Sequence, residues 1–492
     1  MHPYPIPLRR FHPRARVDSL ASRRTAVIVA LAALASMACS QEIKAASANT
    51  REGVPRTVSA APAVELTALL NAARGAPAPL CALAARAVGS LDWWGQPSDA
   101  PRTPLGAVSL ATHTDGSMAD APRSRWTASE QTLLLDNMNT PDLCVRELAV
   151  RLLTIRGARD AASTIASQLI TKTEAQDSSV REVSAFGLGM LAHPSATPAL
   201  VRLLRDRATG VRANAAWALG RVEDGRALSG LLAVVDDENA DVRRAAIQSL
   251  GQIDSSRVLP TVIRALQQDT SASVRRVAAW ALAQLGGGST AVTTLGSVLA
   301  RDSNAAVREM CAWALGELEA QEAIAQLSDA AVRDRAPSVR ETAVWALGAI
   351  EANASATTLG AVLVNDTSIA VRRTAAWALG QLDLRTAPRG LVTALNDSDE
   401  RLRLNASWAL SEIHDPLTVP ALKAALAKET HKQARRAQLR GILAAGGRTE
   451  PMMADLLQSS DPSVREAAIR GVAGGHMVDP WPWPWPRPRP FP

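Results

Sequence analysis

The chain has 492 residues, of which 47% are hydrophobic, 21% charged and only 3% aromatic, with a formal net charge of +7. That composition excludes collagen and wholesale disorder, and four cysteines in such a length make no disulfide framework. Five of the seven net positive charges lie in residues 1–38, where six arginines face one acid; the rest of the chain is near neutral and lacks the basic stripe of a nucleic-acid binder.

Taken in chain order, the first element is a leader. Arg23 and Arg24 precede Thr25 to Ala38, a stretch without a charge. A basic flank followed by an apolar run of this length predicts a signal peptide over 1–38, too short for a membrane helix of about 20 residues. Ser36-Met37-Ala38-Cys39 resembles a bacterial lipobox, although Ser36 stands where the usual pattern has Leu. Lipidation at Cys39 is the expectation; simple cleavage after a small-x-small pair is the alternative, and either route exports the chain. Residues 39–61 then read as a flexible tether, 62–90 as a degenerate N-terminal helix pair, and 91–125, rich in Ala, Ser, Thr, Pro and Gly, as a loop.

From there one unit recurs: Val-Arg-x-x-Ala-Ala-Trp-Ala-Leu-Gly. Strong copies begin at Val211, Val274, Val307, Val339 and Val371, and weaker ones at Val145, Val180, Val242, Leu402, Ala434 and Val464. A spacing of about 30–35 residues means a stacked solenoid, assigned to 126–475, not several globular domains. Counting each copy's first residue as offset 0, apolar residues at offsets 0, 4, 7, 8 and 11 make a helical stripe. A second amphipathic run, such as Ala199–Arg205 or Val419–Ala427, lies between copies, so each unit is two antiparallel helices. An acid five residues before the start (Asp206, Asp237, Asp269, Asp302, Asp334, Asp366, Asp397, Glu429) marks the turn, where it can cap the free amides of the next helix. Gly at offset 9 permits close approach or a left-handed terminus.

The spacing, the acid and the Val-Arg-x-x-Ala-x-x-Ala-Leu-Gly core together resemble HEAT repeats of the bilin-lyase-like subclass, over about 135–475. The resemblance implies an all-α fold, an α-solenoid (superhelix) of about eleven two-helix HEAT repeats. The first helices would face the convex side and the second the concave side. It also implies a ladder in which Arg212, Arg243, Arg275, Arg308, Arg340 and Arg372 bond to acids of adjacent turns, Asp206, Asp237, Asp269, Asp302, Asp334 and Asp366 among them. Relatives of this subclass attach chromophores to partner proteins, so a lyase or its accessory is the alternative function.

Six copies carry Trp at offset 6: Trp217, Trp280, Trp313, Trp345, Trp377 and Trp408. By helical angle that offset lies about 140° from the core stripe. Two readings stand: a continuous apolar strip along the concave groove that binds a protein or peptide, or a packing ladder of rings against neighbouring helices. Offset 2 mixes glutamates with arginines, which makes the groove amphipathic. The last segment, 476–492, alternates Trp and Pro around Trp481, Trp483 and Trp485, which prevents helix and sheet and suggests an extended tail able to act as a ligand.

No HExxH, CxxC, G-x-S-x-G, P-loop or GxGxxG occurs. No catalytic residue, metal site or cofactor is therefore expected. The sequence reads as a non-enzymatic scaffold or adaptor exported to the bacterial envelope, periplasmic or anchored at the outer membrane. Its partner is a protein or peptide and not nucleic acid, with membrane contact through a lipidated N-terminus. Its oligomeric state is open.

Overall fold

The computed structural model describes residues 66–77, 81, 126–156, 162–253, 255–445, 454, 456–460, 462, 464–466 and 469. Cys39, Trp481, Trp483, Trp485 and the segments assigned as leader, tether, loop and tail lie outside the described residues.

The described residues form helices joined by short turns, with no strand among them. A short helix α1 (Leu66–Ala73) comes first. The pairs follow: α2 (Ala128–Asn137) with α3 (Leu143–Arg156), α4 (Ala162–Lys172) with α5 (Ser178–Leu191), and α6 (Thr197–Leu203) with α7 (Thr209–Val222). Next come α8 (Leu228–Ala233) with α9 (Ala240–Gln252), α10 (Leu259–Gln268) with α11 (Ala272–Gln284), and α12 (Gly288–Arg301) with α13 (Ala305–Glu317). The last are α14 (Ile324–Arg333) with α15 (Pro337–Ala349), α16 (Ala356–Asn365) with α17 (Ile369–Gln381), α18 (Arg389–Ala394) with α19 (Glu400–Ile413), and α20 (Val419–Leu426) with α21 (Lys432–Ala444). This is an α-solenoid.

Each pair closes on one apolar stripe. Val211, Val274, Val307, Val339 and Val371 at offset 0, and Leu219, Leu282, Leu315, Leu347 and Leu379 at offset 8, are fully buried. Leu200, Val262, Leu295, Leu327 and Leu359 of the first helices meet them and are equally buried. Burying each such side chain stabilises by about 2 kcal/mol. The second helices pack on one another much more closely than the first helices do, because small residues meet where they touch, Gly189 against Ala218, Gly316 against Ala346 and Gly348 against Ala378. They form the inner layer of the stack.

The turn acid has a narrower role than the capping expected of it. Asp206 Oδ1 accepts from the Ala208 N–H at 2.8 Å, and Asp237, Asp269, Asp302, Asp334 and Asp366 repeat the bond two residues on. The donor is the residue at the threshold of the helix. Amides inside the first turn are capped instead by Asn239, Asn304 and Asp399, where the sequence offers one. The helix ends also differ from expectation. The left-handed residue falls at offset 12, on Ala192, Glu223, Glu319, Glu351 and His414, and on glycine only at Gly286. Gly at offset 9 is still helical, and its purpose is contact.

One feature was absent from the sequence reading. Cys81 and Cys144 form a disulfide, their Cα atoms 5.6 Å apart, across 63 positions of sequence. Beside it, Gly75 N–H donates to Asp142 Oδ2 at 2.7 Å. Together they tie the α1 end of the chain to the start of α3. Cys311, at a core position of α13, is a buried free thiol, and burial holds its pKa well above the usual range.

Candidate functional site

Two lines of side chains run the length of the stack, one along the turns and one along the inner face.

The turn line is the arginine ladder. Arg212 Nε and Nη2 donate to both oxygens of Asp237 in the following repeat, at 2.8 and 2.9 Å. Its Nη1 donates back to the Asp206 carbonyl of its own turn at 2.9 Å. Arg243–Asp269, Arg275–Asp302, Arg308–Asp334 and Arg340–Asp366 repeat the two-pronged pair, as do Arg181–Asp206 and Arg403–Glu429. A fork against a carboxylate is the strongest geometry available to such a pair. Burial works against the charged carboxyl of Asp237. The Arg212 fork and the Asn239 N–H outweigh it and hold its pKa below the ordinary value. Arg372 departs from the pattern: its nearest carboxylate, Asp397, is 3.7 Å away, while its neighbour Arg373 takes Asp399. These groups are bound to each other, which makes the ladder an architectural device.

The inner line is the offset-6 column. It reads Arg151, Phe186, Trp217, Gln248, Trp280, Trp313, Trp345, Trp377 and Trp408. The expected continuous exposed strip is not what forms. Trp217, Trp377 and Trp408 are buried, Trp280, Trp313 and Trp345 are half-buried, and a buried Gln248 interrupts the row. The reason lies in the preceding repeat. A methyl group placed on Gly189 would come within 2.5 Å of the Trp217 ring, on Gly316 within 2.7 Å of Trp345, on Gly348 within 2.9 Å of Trp377, and on Gly380 within 2.5 Å of Trp408. Each of these indoles lies in the notch left by a missing side chain. At the N-terminal end Trp217 also stacks on Phe186, centroids 5.5 Å apart, and the Arg151 guanidinium sits 5.0 Å from the Phe186 ring centre. The half-buried part of the column is its middle, Trp280 to Trp345, although Trp345 too lies in such a notch. Their indole N–H groups make no hydrogen bond to any described residue; Trp217 Nε1 is buried without a partner.

One turn before the column, at offset 2, runs a charged row: Glu147, Glu182, Arg244, Arg276, Glu309, Glu341 and Arg373. Glu147 is buried and paired with Arg151. Glu182 lies over Gly210 and accepts from Asn214 Nδ2 at 3.3 Å. Burial, opposed by Arg146 and reinforced by the charge on Glu147, pushes the Glu182 carboxyl up to about 7. Burial also raises Glu309 against its bond to Ser338, and Glu341 against its bond to Thr374. Arg276 is pulled down, first by burial and then by Arg244 beside it. Among the described residues no three His, Cys, Asp or Glu side chains converge as metal ligands would, and no helix is long and apolar enough to cross a membrane.

The family described as HEAT repeats matches residues 166–241, 228–297, 292–366 and 356–442, more than half of the chain. No curated protein matches. Among solved structures, an importin beta is similar at 14% identity, over 69% of this chain and 56% of its own, with a TM-score of 0.52. Yeast importin-beta (Kap95p) is similar at 14% identity, over 70% and 56%, with a TM-score of 0.51. The chain thus spans little more than half the length of these structures, and the likeness is one of fold.

Proposed function

Because the chain belongs to the HEAT-repeat family, we propose that it is a non-enzymatic scaffold that holds a segment of a partner protein along the inner face of its solenoid, at the bacterial cell envelope. The observation that carries this reading is the half-buried middle of the tryptophan column. Trp280, Trp313 and Trp345 present partly exposed rings and unspent N–H donors in register, one per repeat, beside a row of charges. Rings give apolar contact, the N–H groups can take peptide carbonyls, and the charges supply selectivity. A solenoid offers such an extended surface without a closed active-site pocket. The yeast protein of this fold, Kap95p, binds RanGDP.

Two features support export. The leader ending at Cys39 is one. The Cys81–Cys144 disulfide is the other, since such bonds persist in oxidising compartments and are rare in the cytosol. We read the repeats as the bilin-lyase-like subclass on the Val-Arg-x-x-Ala-x-x-Ala-Leu-Gly core and the turn acid, and take from it the architecture and not the chemistry.

The test is site-specific crosslinking in envelope preparations. A photoreactive phenylalanine at position 313 should capture a partner protein, whereas one at Val332 or Val364, both exposed on first helices, should not. Changing Trp280 and Trp345 to Ala should abolish the capture while helical circular dichroism is kept. Equal capture from all three positions, or none from position 313, overturns the groove as the binding face.

A further inference from the structure

Trp313 is the tryptophan of the column with no notch to sink into. Each ring at offset 6 lies over offset 9 of the preceding repeat, which is glycine ahead of Trp217, Trp280, Trp345, Trp377 and Trp408. Ahead of Trp313 it is Ala283, whose methyl group fills the place where the notch would be. Trp313 is half-buried, between the half-buried Trp280 and Trp345, and the N–H groups of these three rings bond no described residue.

The three rings select an occupant by period and by hydrogen-bonding character. One falls in each repeat, and packed helices lie about 8–10 Å apart. A polyproline II chain shows the same face every three residues, about 9.3 Å. A β-strand does so about every 6.7 Å and drifts out of step. An indole N–H only donates. An α-helical segment has already used its carbonyls, whereas those of a polyproline II chain have no internal partner, and prolines bring no N–H of their own. The sequence holds a segment of this kind outside the described residues: 480–492 has proline at seven of thirteen positions, every second one. Its reach fits. Phe491 lies sixteen residues beyond 475, the end assigned to the solenoid, which is about 50 Å of polyproline II. From the repeat of Val464 back to those of Val339 and Val307 are four and five steps, at most about 40 and 50 Å.

We propose that residues 487–492 of the same chain, Arg-Pro-Arg-Pro-Phe-Pro, lie as polyproline II along Trp345 and Trp313, with Phe491 against Trp313, and that a partner protein enters the inner face by displacing them. This rests on the reading of the inner face as a protein-binding surface and adds what holds that surface beforehand.

The experiment places a photoreactive phenylalanine at position 491 of the full chain and irradiates the purified protein alone. Peptide mapping should find the crosslinks within the same chain, on residues 305–349. Changing Trp313 and Trp345 to Ala, with helical circular dichroism kept, should lower that yield at least fivefold, and so should changing Pro486, Pro488 and Pro490 to Gly. In envelope preparations, deleting residues 480–492 should raise partner capture from a photoreactive phenylalanine at position 313 severalfold. Dimer-sized products, crosslinks on other repeats, or a yield indifferent to either set of substitutions overturns the proposal. Capture from position 313 that the deletion leaves unchanged does the same, while the inner face stands as a binding surface. No capture from position 313, with residues 480–492 or without them, overturns the wider reading and the displacement with it.

Discussion

At Gly348 two local rules point in opposite directions. The residue sits inside α15, where alanine is the better helix former by about 1 kcal/mol, so propensity alone predicts that Gly348→Ala stabilises. Packing predicts the reverse. The added methyl would lie 2.9 Å from the Ala378 backbone and 2.9 Å from the Trp377 ring, closer than side-chain carbons approach, and overpacking of this kind costs about 1–3 kcal/mol. The rigid backbone of α17 cannot yield, so packing wins: Gly348→Ala should lower the urea midpoint, by an amount that shrinks when Trp377 is also changed to Ala. A stabilised single variant would mean that the notch is not tight. Glu182 offers a second test, through pH. Its folded-state pKa of about 7 stands above its ordinary value of 4.5, so the folded chain holds more protons than the unfolded one between those limits. Its contribution to stability is then fully present below about pH 4.5 and is lost as pH rises through 7, by an amount on the order of 3 kcal/mol at most. The ladder carboxyls, held below their ordinary values, work in the opposite sense and only below about pH 4. Glu182→Gln keeps the acceptor for Asn214 and removes the titration. Its urea midpoint should change less between pH 5 and 8 than that of the wild type, and an identical pH slope in both would remove Glu182 as the cause.

Among the elements, the arginine ladder and the disulfide fasten in different ways. Each ladder arginine binds its own turn and the next, so the load is shared along the stack. The disulfide acts at one place, joining the segment after α1 to the start of α3 across 63 positions. In the chain-entropy account a loop of that length is worth about 4 kcal/mol, but here it belongs to the terminal unit alone. Replacing Cys81 and Cys144 with Ser should make the Arg74 bond readily cut by trypsin, while arginines of the ladder stay resistant. Mass spectrometry of timed digests reads this directly, and early cutting spread through residues 162–445 would show that the bond supports the whole stack. The recurrence of an Arg and an acid at fixed offsets was legible in the amino-acid sequence, and their pairing into a ladder was what the resemblance to HEAT repeats implied. The disulfide was not legible, because nothing in the spacing of two cysteines records how α1 docks on α3. The sequence left open whether the offset-6 rings pack or line a groove, and could not say that Trp217, Trp377 and Trp408 are the buried ones. The angle of offset 6 on an isolated helix points away from the core, and only the neighbouring helix, with its glycine at the matching height, shows that the ring has somewhere to go.

At the scale of the molecule, substantial contacts among the described residues run only between neighbouring elements and consecutive pairs. The ladder pairs, the glycine–indole notches and the offset-2 bonds are all nearest-neighbour links, and none joins repeats further apart. Stability should then be close to a sum of pair and interface contributions. Ending the chain after Ile350 removes α16 to α21 and leaves α15 as the last helix. The remaining pairs should keep their mean residue ellipticity, so the total helical signal drops in proportion to the helices lost. Two costs follow at the new end. The Gly348 notch loses the Trp377 ring that filled it, and the Arg340 fork loses Asp366, which leaves that guanidinium with only the carbonyls of its own turn. The truncated protein should therefore unravel from that end first, with hydrogen exchange fastest in α15 and slowing toward α7. If exchange instead rises evenly through every helix from α3 to α15, the repeats are coupled over distances that no contact in the structure spans, and nearest-neighbour stacking is not what holds this chain together.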